Sequence, residues 1–379
     1  MKIGLICNPW LGGAGAVPTE LGKVLAKRGH KVHFFAFDIP FRLIGPWRQN
    51  IFFHKIESME YPAFNNSPDT LTAASLITEV VLREKIEILN AHFAGVNSEI
   101  IFLAKEMLRE NGYNIKTLNT LHGSDISILG LDTTIKEAMT FLLKKSDDVM
   151  TVSHALSEDA KIIYNLKKVD VIHNFVDTNE YKPKTDKTDD LRKIFAKPGE
   201  KIIFHSSNFR SIKRISDVIG IFRLVNKKIP CKLLLVGEGP DQQLASKLAA
   251  KYKIIDRIHF LGFQSDMAKL LPVGDVFLLP SEKENFSLSA LEAMACGLPV
   301  ISSDVGGMKE MIDHKINGYL APVGDVEIMS NYAIDLLNDD AKLINFSKLA
   351  RNKVVKFFGP EKIVPRYENL YKKIIKLKS

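Results

Sequence analysis

The sequence predicts an α/β protein built of two doubly wound domains with a ligand cleft between them. Three observations carry this. Short β-rich apolar runs alternate with helix-length amphipathic stretches along nearly the whole chain. A polar, proline-bearing and charge-rich segment interrupts that alternation near the middle. At 379 residues the chain also exceeds one ordinary core. Apolar strands alternating with helices imply parallel sheets covered on both faces, and the handedness of the crossovers makes each half doubly wound.

In the first half the strand-like runs are KIGLIC, KVHFFAF, IFFHKI, IEILNAH, IKTLNT, DVMTV and VDVIH. Helix-length stretches such as Thr19–Arg28 and Thr70–Glu84 lie between them. In the second half the strands are KIIFHSS, CKLLLVG, RIHFLGF, DVFLLP and PVISS. The boundaries then read 1–175 for a first Rossmann-like domain, 176–200 for a linker, 201–358 for a second Rossmann-like domain and 359–379 for a terminal helix.

Composition narrows the class. Hydrophobic residues make up 46% and charged residues 25%, as in a soluble globular protein. No run approaches the ~18 apolar residues of a membrane span. MKIGLIC enters a strand at once, without the parts of a secretory leader, so a cytoplasmic location is expected. Cys7, Cys231 and Cys296 are scattered in apolar stretches and read as reduced core residues, with no zinc or disulfide spacing. The net charge of +8 is uneven: Lys342–Ser379 holds 11 basic against 2 acidic residues, and the remainder is nearly neutral. That tail reads first as a solvated helix face, and second as a peripheral contact with anionic lipid at the inner face of a membrane. No reader motif accompanies the charge, so nucleic acid is not an expected partner.

Ligands of open α/β sheets sit beyond the C-terminal ends of strands, so the motifs there matter most. In SEKENFSLSALEAMACGLPVI, from Ser281 to Ile301, DVFLLP ends in a loop bearing Glu284. The helix that follows carries Glu292 about two turns in and ends at Gly297, with Pro299 beyond. Backbone N–H groups near Phe286, Ser287 and Leu288 are left open at that helix start, a ready phosphate site. Two carboxylates flanking a phosphate site suit a nucleotide-sugar, whose hydroxyls lie on both sides of a diphosphate. The plainer alternative is a solvated loop Glu and a helix Glu paired with a neighbour.

The first strand ends in NPWLGGAGAVPTE, where Gly12, Gly13 and Gly15 let backbone approach a ligand. It lacks the GxGxxG dinucleotide fingerprint, which disfavours a nicotinamide dehydrogenase. TLHGSDISILG places His122, Ser124 and Asp125 at a strand end, within reach of a sugar hydroxyl, unless His122 only satisfies backbone. HSSNFRSIKR supplies Arg210, Lys213 and Arg214 in a strand-to-helix loop, cations suited to a diphosphate, although Arg214 reads as a solvated helix-start charge. The pairs Asp147–Asp148, Asp189–Asp190 and Asp339–Asp340 read as solvated turn residues and not as a metal-binding Asp-x-Asp. No metal cofactor is therefore expected, and protein cations with a helix N-terminus must stabilise a leaving diphosphate.

Taken together, LGGAG, HGSD, SNFRSIKR, VGEGP and the Glu-x7-Glu segment ENFSLSALE resemble the retaining glycosyltransferases of the GT-B fold (glycosyltransferase family 4-like) over essentially the whole chain. The resemblance implies that Glu284 contacts the donor sugar and Glu292 the ribose. It implies that the diphosphate meets Lys213, Arg210 and the Ser287 and Leu288 amides, with Gly12, Gly13, Asn208 and Gly237 also on the donor side. It further implies that the terminal helix crosses back to the first domain. PTELGKVLAKRGHKVHF, DIPFR, HNFVD, LLLVGEGP and LEAMACGLP resemble a narrower branch, whose members join N-acetylglucosamine to L-malate at the start of bacillithiol synthesis. Against that branch, Ala14 replaces a serine and Phe93 a tyrosine; Asn8, Pro9 and Trp10 stand for Tyr-Pro-Ser, and Ser287 for a glycine. Malate would meet Thr120, Arg210 and Arg42, with Phe93 nearby.

The expected reaction is a metal-independent, retaining transfer of N-acetylglucosamine from a UDP-sugar to a hydroxyl, best matched by L-malate. As in the family, the acceptor would attack from the leaving-group side and a donor phosphate oxygen would take its proton, so no protein nucleophile is named. Rival readings are a same-fold transferase acting on a lipid or cell-surface glycan, a nucleotide-sugar epimerase or phosphorylase, and a catalytically silent nucleotide-sugar-binding protein. Whether the chain forms a homo-oligomer stays open at this stage.

Overall fold

The computed structural model describes residues 1–9, 12–43, 49–58, 69–184 and 186–377, the side chains of Ala14, Asp186, Lys187 and Asp189 excepted. Trp10 thus lies outside the described residues. The chain forms two compact units, Met1–Asn174 together with Glu361–Ser379, and Phe175–Pro360. Each is a parallel-sheet, Rossmann-like α/β domain.

In the first unit, β1 (Lys2–Ile6), β2 (Lys31–Ala36), β3 (Ile51–Lys55), β4 (Ile88–His92), β5 (Lys116–Leu121), β6 (Asp148–Thr151) and β7 (Asp170–Val171) form one sheet. Its order is β3-β2-β1-β4-β5-β6-β7, and every pairing is parallel. The apolar runs read from the sequence become its strands, β4 and β5 wholly buried at the centre and the edge strands β3 and β7 partly exposed. The second unit repeats the scheme with β8 (Lys201–Ser206), β9 (Cys231–Val236), β10 (Ile258–Phe260), β11 (Val276–Leu279), β12 (Val300–Ser303) and β13 (Gly318–Ala321). Here the order is β10-β9-β8-β11-β12-β13, again parallel.

These orders locate the chemistry. Strand order reverses between β1 and β4 in one sheet and between β8 and β11 in the other. Loops leaving the C-terminal ends of neighbouring strands diverge at such a switch point and leave a crevice. The loops after β1 and β4, and those after β8 and β11, carry the glycine, His-Phe, SNFRSIKR and SEKENF motifs.

Some segments differ from the sequence expectation. The stretch expected as a linker lies inside the second unit and holds a helix, Asp186–Phe195. Arg192 fixes it, 2.7 Å from Asp275 and donating to the Glu200 carbonyl. Asp147 and Asp148 are not solvated turn residues. Asp147 accepts from the Thr117 amide at 2.8 Å and from Lys105 at 2.7 Å, and Asp148 opens β6 beside Lys168. Asp339 caps the helix Asp340–Phe357 by accepting from the Lys342 amide, and Asp190 pairs with Lys193 within its helix.

The helix Pro360–Ile375 buries Ile363, Val364, Tyr367, Tyr371 and Ile374, a stripe at helical spacing. Within the first unit its Glu368 meets Arg28 at 2.8 Å and His30 at 2.9 Å. Among the described residues, no helix is long and apolar enough to cross a membrane.

Candidate active site

The second unit's site is built by loops that hold one another. After β8 the chain turns through Ser207–Arg214, and after β11 through Ser281–Ser287. The Glu282 amide donates to the Ile212 carbonyl at 2.8 Å. Beside it Lys213 Nζ lies 2.6 Å from Glu284 Oε1, with the two side chains only 16% and 8% exposed. An ion pair this withdrawn from water is held in one geometry and interacts more strongly than a surface pair.

A third loop presses on the second. Gly306, just past β12, has φ +50°, and a Cβ there would sit 1.9 Å from the Glu284 carbonyl oxygen. A fourth loop repeats the device: a Cβ on Gly237, φ +113°, would sit 1.9 Å from the Ser207 carbonyl oxygen. Only glycine tolerates both the conformation and the approach. His205, wholly buried, locks the base of this cluster. Its Nδ1–H donates to the Leu278 carbonyl and its Nε2 lies 2.8 Å from Ser207 Oγ, while burial pushes its pKa down to about 4.

The other expected residues fall around this cluster. Ser287 caps the helix Leu288–Ala295, its hydroxyl accepting from the Ala290 amide, which leaves the helix N-terminus facing the loop of Glu284. Glu292 is in that helix but only a turn from its start, and is buried. Arg210 and Asn208 are exposed. Arg214 is no solvated charge: it adopts a left-handed conformation and donates to Asp217 at 2.6 Å. Sequence reasoning missed Gly306 and His205. Gly-Gly after a strand end, as in DVGGM, was the signal available for the first; nothing local marked the second.

In the first unit, Gly12 (φ +122°) precedes the helix Gly13–Lys27, and a Cβ at either Gly12 or Gly13 would meet open space. The chain leaves β4 through Phe93, whose φ of +66° is strained for a bulky residue, and Gly95. It leaves β5 through His122 and Gly123. Asp125 clamps that turn: its buried carboxylate accepts from the His122 amide at 2.9 Å and the Gly123 amide at 2.6 Å. Burial raises it to about 6 against the pull of those amides. His122 stacks on His92, and His92 Nδ1 lies 3.1 Å from His122 Nε2. Burial holds His122 down at about 4 and His92 well below the ordinary histidine value.

Thr120, expected to face an acceptor, is instead buried and donates its hydroxyl to Asn90 Oδ1 at 2.9 Å. Arg42 lies 3.8 Å from Glu20 and stacks over Phe41.

Two parallel-sheet domains, each with a loop cluster at its switch point, set the fold, and comparison with known proteins sets the class. Residues 186–353 match the model of the Glycosyl transferases group 1, and residues 11–180 that of Glycosyltransferase Family 4. The chain belongs to the family 4-like glycosyltransferases of the GT-B fold and is a sugar-transferring enzyme. It is 41% identical to the N-acetyl-alpha-D-glucosaminyl L-malate synthase of Bacillus anthracis over 377 residues, 99% of this chain and 98% of that one. A solved glycosyltransferase from Rickettsia africae superposes with a TM-score of 0.81 at 21% identity, over 100% of this chain and 99% of that one. So does Anabaena HepE in complex with UDP and glucose, with a TM-score of 0.81 at 20% identity, over 98% and 100%. At such identity these two speak for the fold.

Proposed function

We propose that this enzyme transfers N-acetylglucosamine, with retention and without a metal ion, from UDP-N-acetylglucosamine to the hydroxyl of L-malate. The observation that carries the reading is the Lys213–Glu284 pair at the switch point of the second sheet, 2.6 Å apart beside a capped helix N-terminus. Lys213, shared between Glu284 and the incoming donor, neutralises charge on the departing diphosphate with Arg210 and the amides at Ser287 and Leu288. Glu284 orients hydroxyls of the donor sugar, and Glu292 those of the ribose. Gly12, Gly13 and Gly237 let backbone approach the donor, the exposed Asn208 adds a polar side chain on the donor side, and His122 meets a sugar hydroxyl. Arg210 and Arg42 serve the carboxylates of malate. The malate assignment is supported by 41% identity, over nearly the full length of both chains, to a protein named for that product.

Three free, buried cysteines suit a cytoplasmic setting. The basic tail is read as an exposed helix face whose charges are partly met within the first unit, where Lys373 pairs with Asp170 and Arg366 donates to the Val171 carbonyl.

The test is UDP release from UDP-N-acetylglucosamine in the presence of a chelator, with and without L-malate. Malate-dependent release, reduced at least about a hundredfold by Glu284→Gln, is expected. Slow release indifferent to malate would refute the acceptor, and release abolished by the chelator would refute metal independence.

A further inference from the structure

Strands that are buried on both faces ordinarily carry apolar side chains, yet β4 and β5 hold Asn90, His92 and Thr120 with none of their surface exposed. They form one chain of hydrogen bonds within the first unit. Thr120 Oγ1 donates to Asn90 Oδ1 at 2.9 Å. Asn90 Nδ2 reaches Tyr371 Oη, on the terminal helix, at 2.9 Å and His92 Nε2 at 3.1 Å. His92 Nδ1 reaches His122 Nε2 at 3.1 Å.

The order of donors follows from Asn90. With its oxygen occupied by Thr120, both amide protons point the other way, one to Tyr371 and one to His92. His92 Nε2 must then accept, so its single proton sits on Nδ1 and is donated to His122 Nε2. His122 Nε2 is thereby an acceptor, and the proton of the neutral imidazole sits on Nδ1.

We propose that Asn90, steadied by Tyr371 and Thr120, is a positioning residue that sets the tautomer of His122 through His92, so that His122 presents Nδ1–H as a donor. This rests on the reading of His122 as the residue that meets a sugar hydroxyl. A tautomer chosen by a buried amide two residues away has the hydrogen already in place when substrate arrives. The arrangement also ties the terminal helix to the reaction, since Tyr371 holds one of the two Asn90 amide protons.

The experiment reads protons directly. In the full-length protein labelled with nitrogen-15 histidine, long-range proton–nitrogen correlation at pH 7.5 distinguishes the two neutral tautomers. The His122 signals are assigned by their loss in His122→Gln. The expected result is a single Nδ1–H pattern for His92 and for His122; an Nε2–H pattern at His122 would overturn the proposal. Asn90→Leu should move the His122 signals toward a mixture of tautomers and lower kcat about tenfold, the scale of one misdirected buried hydrogen bond, with KM for the donor within about twofold. Unmoved His122 signals in a folded Asn90→Leu would equally overturn it. Should that variant fail to fold, the wild-type pattern and a partial shift in Tyr371→Phe decide the matter. No substrate is present in these spectra, so an enzyme without UDP-sugar turnover would remove the proposed function and leave the tautomer result standing.

Discussion

Gly306 shows how one residue far along the chain governs another's chemistry. Its backbone lies against the Glu284 carbonyl, where a Cβ would come within 1.9 Å. The obstacle is backbone and not the mobile end of a side chain, so the loop of Glu284 has to move. Misplacing a positioned group by about 1 Å costs on the order of a hundredfold in rate. Gly306→Ala is therefore expected to lower turnover roughly a hundredfold while the variant stays folded. UDP release and a thermal melt on the same preparation check this, and unchanged turnover would show that the approach does not matter. Glu284 and Lys213 were legible in the sequence because a loop leaving an apolar strand announces itself by composition. Gly306 was not, because the Gly-Gly of DVGGM marks a turn after a strand but does not say that its backbone approaches the loop of Glu284.

Among the elements, strands were the most legible and their polar contents the least. KIGLIC, KVHFFAF and KIIFHSS became β1, β2 and β8 because long apolar runs have nowhere to go but a covered sheet. Thr120 was expected to face a ligand and Asn90 drew no reading at all, yet the two satisfy each other inside. The helix Asp186–Phe195 was hidden by its charge, since only its anchoring on Asp275 makes it part of the domain. The terminal helix offers a test at this scale. Hydrogen bonds from Arg28, then His30, hold Glu368 down at about 2, below its ordinary 4.5. A depressed carboxylate contributes stability that is present above the unfolded value and lost as pH falls from about 4.5 toward 2. Arg28 is 36% exposed, so solvent reduces the effect to about 1–2 kcal/mol. Glu368→Gln should thus lower stability by that amount at pH 7, and the gap to wild type should narrow at pH 3.5. Urea melts at both values decide it; a gap that widens in acid would contradict the pairing.

At the scale of the whole molecule, buried neutral histidines set the response to acid. His33, His122 and His205 are pushed by burial to about 4, and His92 lies well below its ordinary 6.5 for the same reason. At His33, the neighbouring His54, 2.9 Å away and itself lowered by burial, adds to the effect. A histidine with a lowered folded value binds its proton more readily in the unfolded chain. Its contribution is therefore complete above about 6.5 and is lost as pH falls toward 4. Each such group changes stability by up to about 1.4 kcal/mol per pH unit within that window. Asp125 works with the opposite sign: raised from 3.8 to about 6, it favours the folded state as pH falls through that interval. Asp148 is raised by burial as well, but the lowered histidines outnumber these two carboxyls, so the net slope stays downward. The paired carboxylates, Glu368 and Asp275 among them, are held below their ordinary values and add their own losses only in stronger acid. Because His33, His54, His92 and His122 all belong to the first unit and His205 to the second, the first unit should give way first. The urea midpoint is expected to stay level from pH 7.5 to about 6.5 and to fall from there to pH 5, with tryptic cleavage appearing first within residues 1–174. A midpoint that is flat or rising between about pH 6.5 and pH 5 would mean that these imidazoles take up protons in the folded protein as readily as in the unfolded chain, and the hydrogen-bond chain through His92 would then have to carry an extra proton.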